Sequence, residues 1–294
     1  MDGIVNVNKP LGITSHDVVY RLRKILNIKK IGHTGTLDPE ASGVLPMCIG
    51  KGTKLAEYLT ASDKQYLATL KLGAFTDTQD ATGEVLGTFE VNVSQEQICD
   101  VVKKFIGEIQ QIPPMFSAIK IDGKKLYELA REGKTVEREA RRITIHNIEI
   151  KKIDLENNII EMLVDCSKGT YIRTLCNDIG AALGCGGHMS ALCRTKSGRF
   201  NIDKAFTLEQ IEEMTAKEDF SFLTPVSEAL PEYGKITLAE RNSQRVRNGI
   251  KIRVEGLTEG ETYRVFDEKN EFLALAKQEN GEFVIIKSFY GGAQ

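Results

Sequence analysis

A chain of 294 residues is long for one hydrophobic core and suits a large domain followed by a small one. Its 41% hydrophobic and 27% charged residues are ordinary for a soluble globular protein, and no apolar run approaches the roughly 18 residues that a membrane span requires. A net charge of −2 argues against a nonspecific polyanion binder, so any nucleic-acid surface would have to be local.

The N-terminal stretch predicts a strand, a turn and a helix. It lacks the basic and apolar regions of a signal peptide, so we expect a cytoplasmic location. Residues 3–8 alternate apolar and polar side chains like a half-buried strand, and residues 9–12 turn the chain. Ser15 or Thr14 can cap the helix that follows. A basic run over residues 21–30 is either a solvated face or a surface that contacts phosphate.

Residues 32–46 contain three glycines and two prolines, a density typical of a tight, non-repetitive loop rather than of a strand or helix interior. One carboxylate, Asp38, lies at the centre of this stretch. Because Pro39 fixes its own φ and biases Asp38 toward extended backbone angles, the loop can hold that carboxylate in one direction, as a nucleophile or base requires. The alternative is that Asp38-Pro39 only initiates a turn.

The next segments exclude one function and predict a strand. The glycine-lysine-glycine run at residues 50–53 superficially resembles a phosphate loop, but Lys51 is followed by glycine instead of serine or threonine, which argues against nucleotide hydrolysis. Residues 64–73 predict a strand with Tyr66 on its apolar face. From the pattern alone, Tyr66 is either a core aromatic or part of a site.

Capping patterns predict three helices in the rest of the large domain. Capping boxes begin at Ser94 and at Thr207. The third helix follows a strand at residues 159–166 and has Thr170 as a plausible cap. Arg173 then lies in the first turn of that helix, where it opposes the helix dipole, so its presence needs a reason other than helix stability.

Two further segments stand out by composition. After a pair of prolines, residues 120–142 are polar and basic, with a short helix predicted at residues 125–132. Residues 131–142 carry five basic against three acidic side chains, a local net charge of +2. Beyond Pro231, short strands with glycine and asparagine turns predict a small β module, with strands at residues 262–266, 272–276 and 283–286.

The sequence predicts neither a disulfide nor a metal site. Its six cysteines are scattered without a Cys-x-x-Cys pair, which in a reducing compartment is typical of buried thiols. Cys185, His188 and Cys193 resemble part of a zinc knuckle, but they are three candidate ligands and a closed structural site needs four. Without a dinucleotide motif, phosphate loop or complete ligand set, we expect no cofactor.

Several motifs together resemble the TruB family, pseudouridine synthases that modify uridine 55 in the T arm of tRNA. The resemblance covers roughly residues 4–200 and is carried, in family order, by Asn6-Val7-Asn8-Lys9-Pro10-Leu11-Gly12-Ile13-Thr14-Ser15-His16-Asp17, Gly32-His33-Thr34-Gly35-Thr36-Leu37-Asp38-Pro39, Gly43-Val44-Leu45-Pro46, Asp63-Lys64-Gln65-Tyr66, Thr76-Asp77-Thr78-Gln79-Asp80 and Ser167-Lys168-Gly169-Thr170-Tyr171-Ile172-Arg173.

The resemblance implies an α+β pseudouridine synthase fold, with a central mixed, mainly antiparallel sheet flanked by helices and a small C-terminal β-barrel of the PUA type. It divides the chain into a catalytic domain at residues 1–230 and an RNA-binding domain at residues 231–294. Within the first domain, an insertion at about residues 115–142 is expected to clamp the T arm. The implied partner is the tRNA T stem-loop, with no membrane, no required protein partner and a monomeric state.

The same resemblance implies the roles of individual residues. Asp38 is the catalytic aspartate, and Arg173 is expected to pair with it, since a nearby arginine favours the charged carboxylate. The remaining residues of the active site and its substrate contacts are Tyr66, Tyr171, Leu192, His33 and Asp80. Of these, His33 is expected to help fill the space left by the flipped base, and Leu192 to form a wall of the uracil pocket. Asp80 is expected to support Arg173 or Tyr66. RNA contacts are expected at Lys9, Arg141 and Arg142.

Two other classes of function remain open at this point. A glycoside hydrolase needs two carboxylates about 5–10 Å apart, and Asp38 has only Glu40 as an immediate acidic neighbour. A non-catalytic RNA-binding or RNA-folding protein would keep the basic surfaces without needing Asp38. An RNA-folding role could also accompany catalysis.

Overall fold

The computed structural model describes residues 1–121 and 123–291, and no helix within them is long and apolar enough to cross a membrane. The strands of the first part are β1 (Gly3–Lys9), β2 (Ile31–His33), β3 (Ala41–Ile49), β4 (Lys64–Leu72), β5 (Ala74–Thr76), β6 (Val85–Thr88), β7 (Gly107–Gln111), β8 (Lys120–Ile121) and β9 (Lys124–Lys125). Those of the second part are β10 (Arg141–Asp154), β11 (Ile159–Cys166), β12 (Gly187–Ser197), β13 (Phe200–Asn201), β14 (Leu223–Thr224), β15 (Gly234–Leu238), β16 (Thr262–Asp267), β17 (Phe272–Glu279) and β18 (Glu282–Ser288). The α-helices are α1 (Ser15–Leu26), α2 (Ala56–Thr60), α3 (Gln95–Lys103), α4 (Leu126–Arg131), α5 (Ile172–Ala182), α6 (Leu208–Ala216) and α7 (Glu240–Arg247).

One large sheet organises most of the chain. In the part that the structure describes it has ten strands, in the spatial order β14, β1, β3, β12, β4, β11, β10, β7, with β2 paired to β3 and β13 to β12. Strand β12 runs parallel to β3 and antiparallel to β4. The other described pairs of this sheet are antiparallel. The mixed, mainly antiparallel sheet predicted from the sequence is confirmed.

Two of the hydrophobic clusters pack α-helices against this sheet. The first packs α3 and α5 against β4, β10 and β11 and includes Ile98, Leu175 and Val164. The second packs α1 and α6 against β1 and β3 and includes Leu22 and Ile211. Fully burying one such side chain contributes about 1.5–3 kcal/mol. Helices therefore pack against both halves of the sheet, and this packing fixes the position of the strands between them.

Local sequence signals explain where several helices begin. Thr14, Ser94 and Thr207 accept the N3 backbone N–H as the first residues of capping boxes for α1, α3 and α6. For α5 the predicted cap is wrong, because the Thr170 hydroxyl donates to the Ser167 carbonyl at 2.9 Å and no side chain caps the helix.

The predicted loop at residues 32–46 is wrong at both ends. Its first residues close β2 and its last belong to β3, so residues 34–40 are the actual loop. Gly43 lies inside β3 with φ +101°, and a Cβ there would collide with the backbone of Arg194 on β12. This glycine therefore permits the close approach of two strands. Glycine density predicted a loop at a position where the structure has a strand packed closely against its neighbour.

The smaller sheet contains β15, β16, β17 and β18 in that order, and the three strands predicted in the tail are confirmed. It packs against the first part of the chain, where the Lys51 and Lys54 amines donate to the carbonyls of Phe289 and Ser288 at 2.7 and 2.6 Å. A closed barrel and a domain boundary after residue 230 stay predictions.

Lys64 begins β4 as a buried lysine, only 8% exposed, and its amine donates to the carbonyls of Thr60 and Ser62. Burial lowers the pKa of Lys64 from 10.5 to about 8. The folded protein thus releases this proton at lower pH than the unfolded chain. Between about pH 8 and pH 10.5 the unfolded state therefore binds more protons than the folded state. Across this range the contribution of Lys64 to the free energy of unfolding rises as the pH increases, and it falls as the pH decreases toward the folded pKa.

Replacing Lys64 with Met should remove this dependence. As the pH rises from about 8 toward 10.5, the free energy of unfolding of the wild type should increase relative to that of K64M, by at most about 1.4 kcal/mol per pH unit. Urea unfolding at several pH values measures the difference, and K71M on the same strand controls for the loss of one lysine. Parallel curves for the wild type and K64M would contradict the prediction.

Candidate active site

Residues 34–40, named here the Asp38 loop, connect β2 to β3 within the large sheet. The two strands pair antiparallel, and just beyond the last pair the Thr34 N–H donates to the Pro46 carbonyl at 3.2 Å. At the other end, the Ala41 N–H donates to the Asp38 carbonyl at 3.0 Å and closes a turn around Pro39. The loop is thus short and bonded at both ends, which restricts the directions open to the Asp38 side chain.

Ser15 holds the loop just before Asp38. Its hydroxyl accepts a hydrogen bond from the Leu37 N–H at 2.8 Å and donates to the Leu37 carbonyl at 3.1 Å. Thr14 caps α1, so the serine that the sequence offered as an alternative cap is free for this contact. Both Ser15 and Leu37 are buried. The backbone beside the carboxylate is therefore attached to the start of α1.

Lys9 lies beneath the loop, and the prediction that it contacts RNA is wrong. Its side chain is 0% exposed, and its amine donates to the carbonyls of Pro10, Ile13 and Pro39 at 2.8, 2.7 and 3.4 Å. Burial lowers the pKa of Lys9. Because no part of the side chain reaches the surface, the amine serves to hold the backbone after Asp38.

Arg194 of β12 is a candidate that sequence reasoning missed. It is 1% exposed, its Nε donates to the Val44 carbonyl at 2.6 Å and its Nη2 donates to the Gly35 carbonyl at 3.3 Å. Within residues 1–121 and 123–291 no carboxylate lies within 4.0 Å of it. The guanidinium ties the start of the Asp38 loop to β3. The available signal was its place on the same strand face as Leu192, two residues away.

Arg173 of α5 joins two carboxylates. Its Nη2 lies 3.3 Å from the Asp38 Oδ2 and its Nη1 lies 3.3 Å from the Asp80 Oδ2. It also donates to the carbonyls of Thr78 and Phe116 at 3.3 and 2.8 Å. The side chains of Arg173 and Asp80 are 9% and 14% exposed, whereas that of Asp38 is 44% exposed. Of the two carboxylates, Asp38 is the one that a substrate can reach.

Asp80 is fixed from its other side. Its Oδ1 accepts from the hydroxyl of Thr78 at 2.7 Å and from the N–H and hydroxyl of Thr82 at 3.0 and 2.6 Å. These bonds leave Oδ2 for Arg173. Asp80 is therefore arranged to orient the guanidinium rather than to act on a substrate.

Tyr66 and Leu192 lie on the adjacent strands β4 and β12, where each packs against both hydrophobic clusters and stays partly buried. Burial raises the pKa of Tyr66, so its phenol keeps its proton at neutral pH and can donate a hydrogen bond. Tyr171 is the residue before α5, two positions from Arg173, and is also partly buried. Apolar side chains and a neutral phenol thus accompany the charged pair.

His33 ends β2 next to the Asp38 loop. Its ring is half-buried, and its Nδ1 accepts from the Gly35 N–H at 3.4 Å. Burial lowers the pKa of His33, and the charge of Arg194 acts in the same direction. The imidazole is therefore neutral at neutral pH and offers a flat face rather than a positive charge.

Arg141 and Arg142 lie apart from this group, at the start of β10 and exposed to solvent. They pair with Gln111 and Gln110 of β7 in the sheet, so they belong to a regular strand and not to the irregular part of the insertion. The Arg142 Nη2 lies 2.6 Å from the Glu108 Oε2. Exposed ion pairs of this kind are weak, so both guanidinium groups remain available to an anionic partner.

Two of the three candidate zinc ligands lie in surroundings that do not favour zinc binding. Cys185 is buried, and burial raises the pKa of its thiol, which disfavours the thiolate that zinc requires. The Nδ1 of His188 lies 3.1 Å from the carbonyl of Ala74. In the residues that the structure describes, no group of three or more His, Cys, Asp and Glu side chains could hold a metal.

Comparisons with known proteins show which family this chain resembles. The model of the TruB family pseudouridylate synthase N-terminal domain matches residues 23–172, and that of the tRNA pseudouridylate synthase B C-terminal domain matches residues 173–231. A tRNA pseudouridine synthase B of Clostridium kluyveri is 44% identical over 98% of this chain and 100% of that protein. One of Alkaliphilus oremlandii is 52% identical over 86% of this chain and 83% of that protein.

A solved structure, described as an H/ACA RNP bound to a substrate RNA containing 2′-deoxyuridine, contains a chain that is 27% identical with a TM-score of 0.75, covering 98% of this chain and 85% of that one. The fold and the site thus define a pseudouridine synthase, an isomerase. The chain belongs to the TruB family. This confirms the family, fold and enzyme class predicted from the sequence, and the non-catalytic alternative is not favoured.

Turnover should survive exhaustive chelation, because Cys185 and His188 are unsuited to bind zinc together with Cys193. We expect unchanged rates after dialysis against EDTA and phenanthroline, with C185S as a variant that lacks one candidate ligand. Metal analysis of the purified protein accompanies the assay. Stoichiometric zinc whose removal abolishes turnover would overturn this prediction.

Proposed function

We propose that this enzyme isomerises uridine 55 in the T arm of tRNA to pseudouridine, with Asp38 as its essential carboxylate. The observation that carries the proposal is a half-exposed carboxylate paired at 3.3 Å with a buried arginine. The names of the relatives, tRNA pseudouridine synthase B, support tRNA as the substrate. A cytoplasmic location, a monomeric state, the lack of a required protein partner and an additional tRNA-folding role remain predictions.

The reaction breaks the N1–C1′ glycosidic bond, rotates the freed uracil and forms a C5–C1′ bond, after which the C5 proton leaves and N1 gains a proton. Atoms and electrons balance without a donor or a redox partner. Asp38 can act as a nucleophile at the sugar or the base, or as a base at C2′. Each route needs a carboxylate held in one orientation, which the contact with the Arg173 Nη2 and the short Asp38 loop favour.

The surroundings of Asp38 suit an extruded base. Extrusion costs a few kcal/mol, which contacts in the pocket must offset. In the proposal, Tyr66 stacks on the uracil and Leu192 and Tyr171 form further walls, since an apolar ring with one polar end suits a planar base. The neutral ring of His33 takes the place that the base leaves in the RNA stack, and Asp80 keeps Arg173 directed at Asp38.

Asp38→Asn should lower turnover by about a thousandfold or more while RNA binding changes little, because the substitution keeps the size and removes the charge that the chemistry requires. Tritium release from tRNA labelled at uridine C5 measures turnover, and a binding isotherm measures affinity. Glu40→Gln, the same change at an exposed position two residues away, is the control and should be near wild type. Appreciable tritium release by D38N would remove Asp38 from its proposed role.

Replacing Arg141 and Arg142 together with Ala should weaken tRNA binding and flatten the slope of log affinity against log salt by about one unit, since each single-stranded phosphate contact contributes about 0.7. The melting temperature should change little because both side chains are exposed. Lys151 and Lys152, further along β10 and bonded to Glu149 and Asp154, are the matched control when replaced with Ala. An unchanged slope in the arginine variant would mean that these arginines do not contact phosphate.

A further inference from the structure

Gln111, the last residue of β7, holds the backbone of Tyr171 with both ends of its amide. Its Oε1 accepts from the Tyr171 N–H at 2.8 Å, and its Nε2 donates to the Tyr171 carbonyl at 3.1 Å. The side chain is 2% exposed. A glutamine amide in this position replaces the pair of hydrogen bonds that a neighbouring strand would make.

The clamped residue is the N-cap of α5. This helix has no side-chain cap, and the Thr170 hydroxyl turns back to the Ser167 carbonyl. Unsatisfied N–H groups at a helix start leave its first turn free to fray. With Gln111 holding Tyr171, the first turn starts from a fixed point, and Arg173 is two residues further on.

The same end of β7 is where the insertion begins. Gln111 pairs in the sheet with Arg141, so the two arms of the insertion leave the sheet side by side. Across the arms, the Arg138 Nη1 donates to the Pro113 carbonyl at 3.2 Å. The arm that leaves β7 then reaches the active site, where the Phe116 carbonyl accepts from the Arg173 Nη2 at 2.8 Å.

Phe116 and Asp38 therefore share one nitrogen of the guanidinium. The Nη2 of Arg173 lies 2.8 Å from the Phe116 carbonyl and 3.3 Å from the Asp38 Oδ2. A displacement of the arm that carries Phe116 changes how this nitrogen divides its donors between the two acceptors. The position of Arg173 is thus set by two contacts, one from Gln111 at the end of β7 to the start of α5 and one from the Phe116 carbonyl to the guanidinium itself.

We propose that Gln111 is a positioning residue for the reaction: by fixing the Tyr171 backbone at the start of α5, it keeps the Arg173 guanidinium in contact with Asp38. This inference rests on the proposed function. Gln111 touches neither carboxylate and acts only through α5. Its loss should therefore lower the rate of the chemical step and leave RNA affinity almost unchanged.

Gln111→Met keeps the size of the side chain and removes both hydrogen bonds. The single-turnover rate at saturating enzyme should fall about tenfold or more, because small misplacements of reacting groups cost that much, while the dissociation constant for tRNA stays within about threefold. Gln110→Met makes the same change on the adjacent, exposed position of β7 and should match the wild type in both. Wild-type turnover, measured first, tests the proposed function separately from this inference.

Gln111→Glu supplies a second measurement if the Met variant folds poorly. A carboxylate keeps the acceptor for the Tyr171 N–H but opposes the Tyr171 carbonyl, whereas the protonated acid restores the lost donor and has the shape of the amide. The rate of Q111E relative to the wild type should therefore recover as the pH falls. A purely structural role would lower the melting temperature of both variants and leave the single-turnover rate of the folded enzyme unchanged.

The two results that overturn the inference are distinct. A single-turnover rate of Q111M equal to that of Q110M would show that the clamp does not position the reacting groups. A loss confined to RNA affinity would assign Gln111 to binding instead. As a further check, Q111M combined with R173K should be no slower than R173K alone, because Gln111 acts through the guanidinium; additive losses would contradict that route.

Discussion

A guanidinium removed from water must find partners for its N–H groups, and this requirement at Arg173 determines how the active site is assembled. The side chain is 9% exposed and meets two carboxylates and two backbone carbonyls. Breaking such a buried pair is far costlier than the net gain from forming it. The Asp38 loop, the turn before Asp80, the arm that carries Phe116 and the start of α5 therefore converge on this one guanidinium.

Other buried cations support the same region in a different way. Lys9, Lys64 and Arg194 are each under 9% exposed, and each donates to backbone carbonyls. Lys9 and Arg194 bond the backbone of the Asp38 loop through the carbonyls of Pro39 and Gly35, and Lys64 bonds the segment before β4. A net charge of −2 therefore describes the surface poorly, because part of the positive charge is inside the molecule.

How much of the structure could be predicted from the sequence depends on how far apart in the chain the interacting residues lie. Capping boxes predicted the starts of α3 and α6 because both partners lie within four residues, whereas the cap of α1 was left open between Thr14 and Ser15. Arg173 could be proposed because its position conflicts with the helix dipole. Lys9 was misassigned and Arg194 overlooked because their partners are carbonyl oxygens, which every residue has and which no pattern of side chains reveals. Gln111 is also a residue whose partner is backbone, because its amide bonds the main chain of Tyr171, 60 residues away.

Tyr66 and Leu192 pack against two hydrophobic clusters of the sheet, the one formed with α3 and α5 and the one formed with α1 and α6. The apolar wall of the site is therefore the border where two independently packed cores meet. Its width depends on how each half of the sheet settles against its own helices, so a cavity created far away in either core is transmitted to the border as a change of spacing. In the proposed function a planar base lies against this border, so core substitutions reach the site through the spacing of β4 and β12.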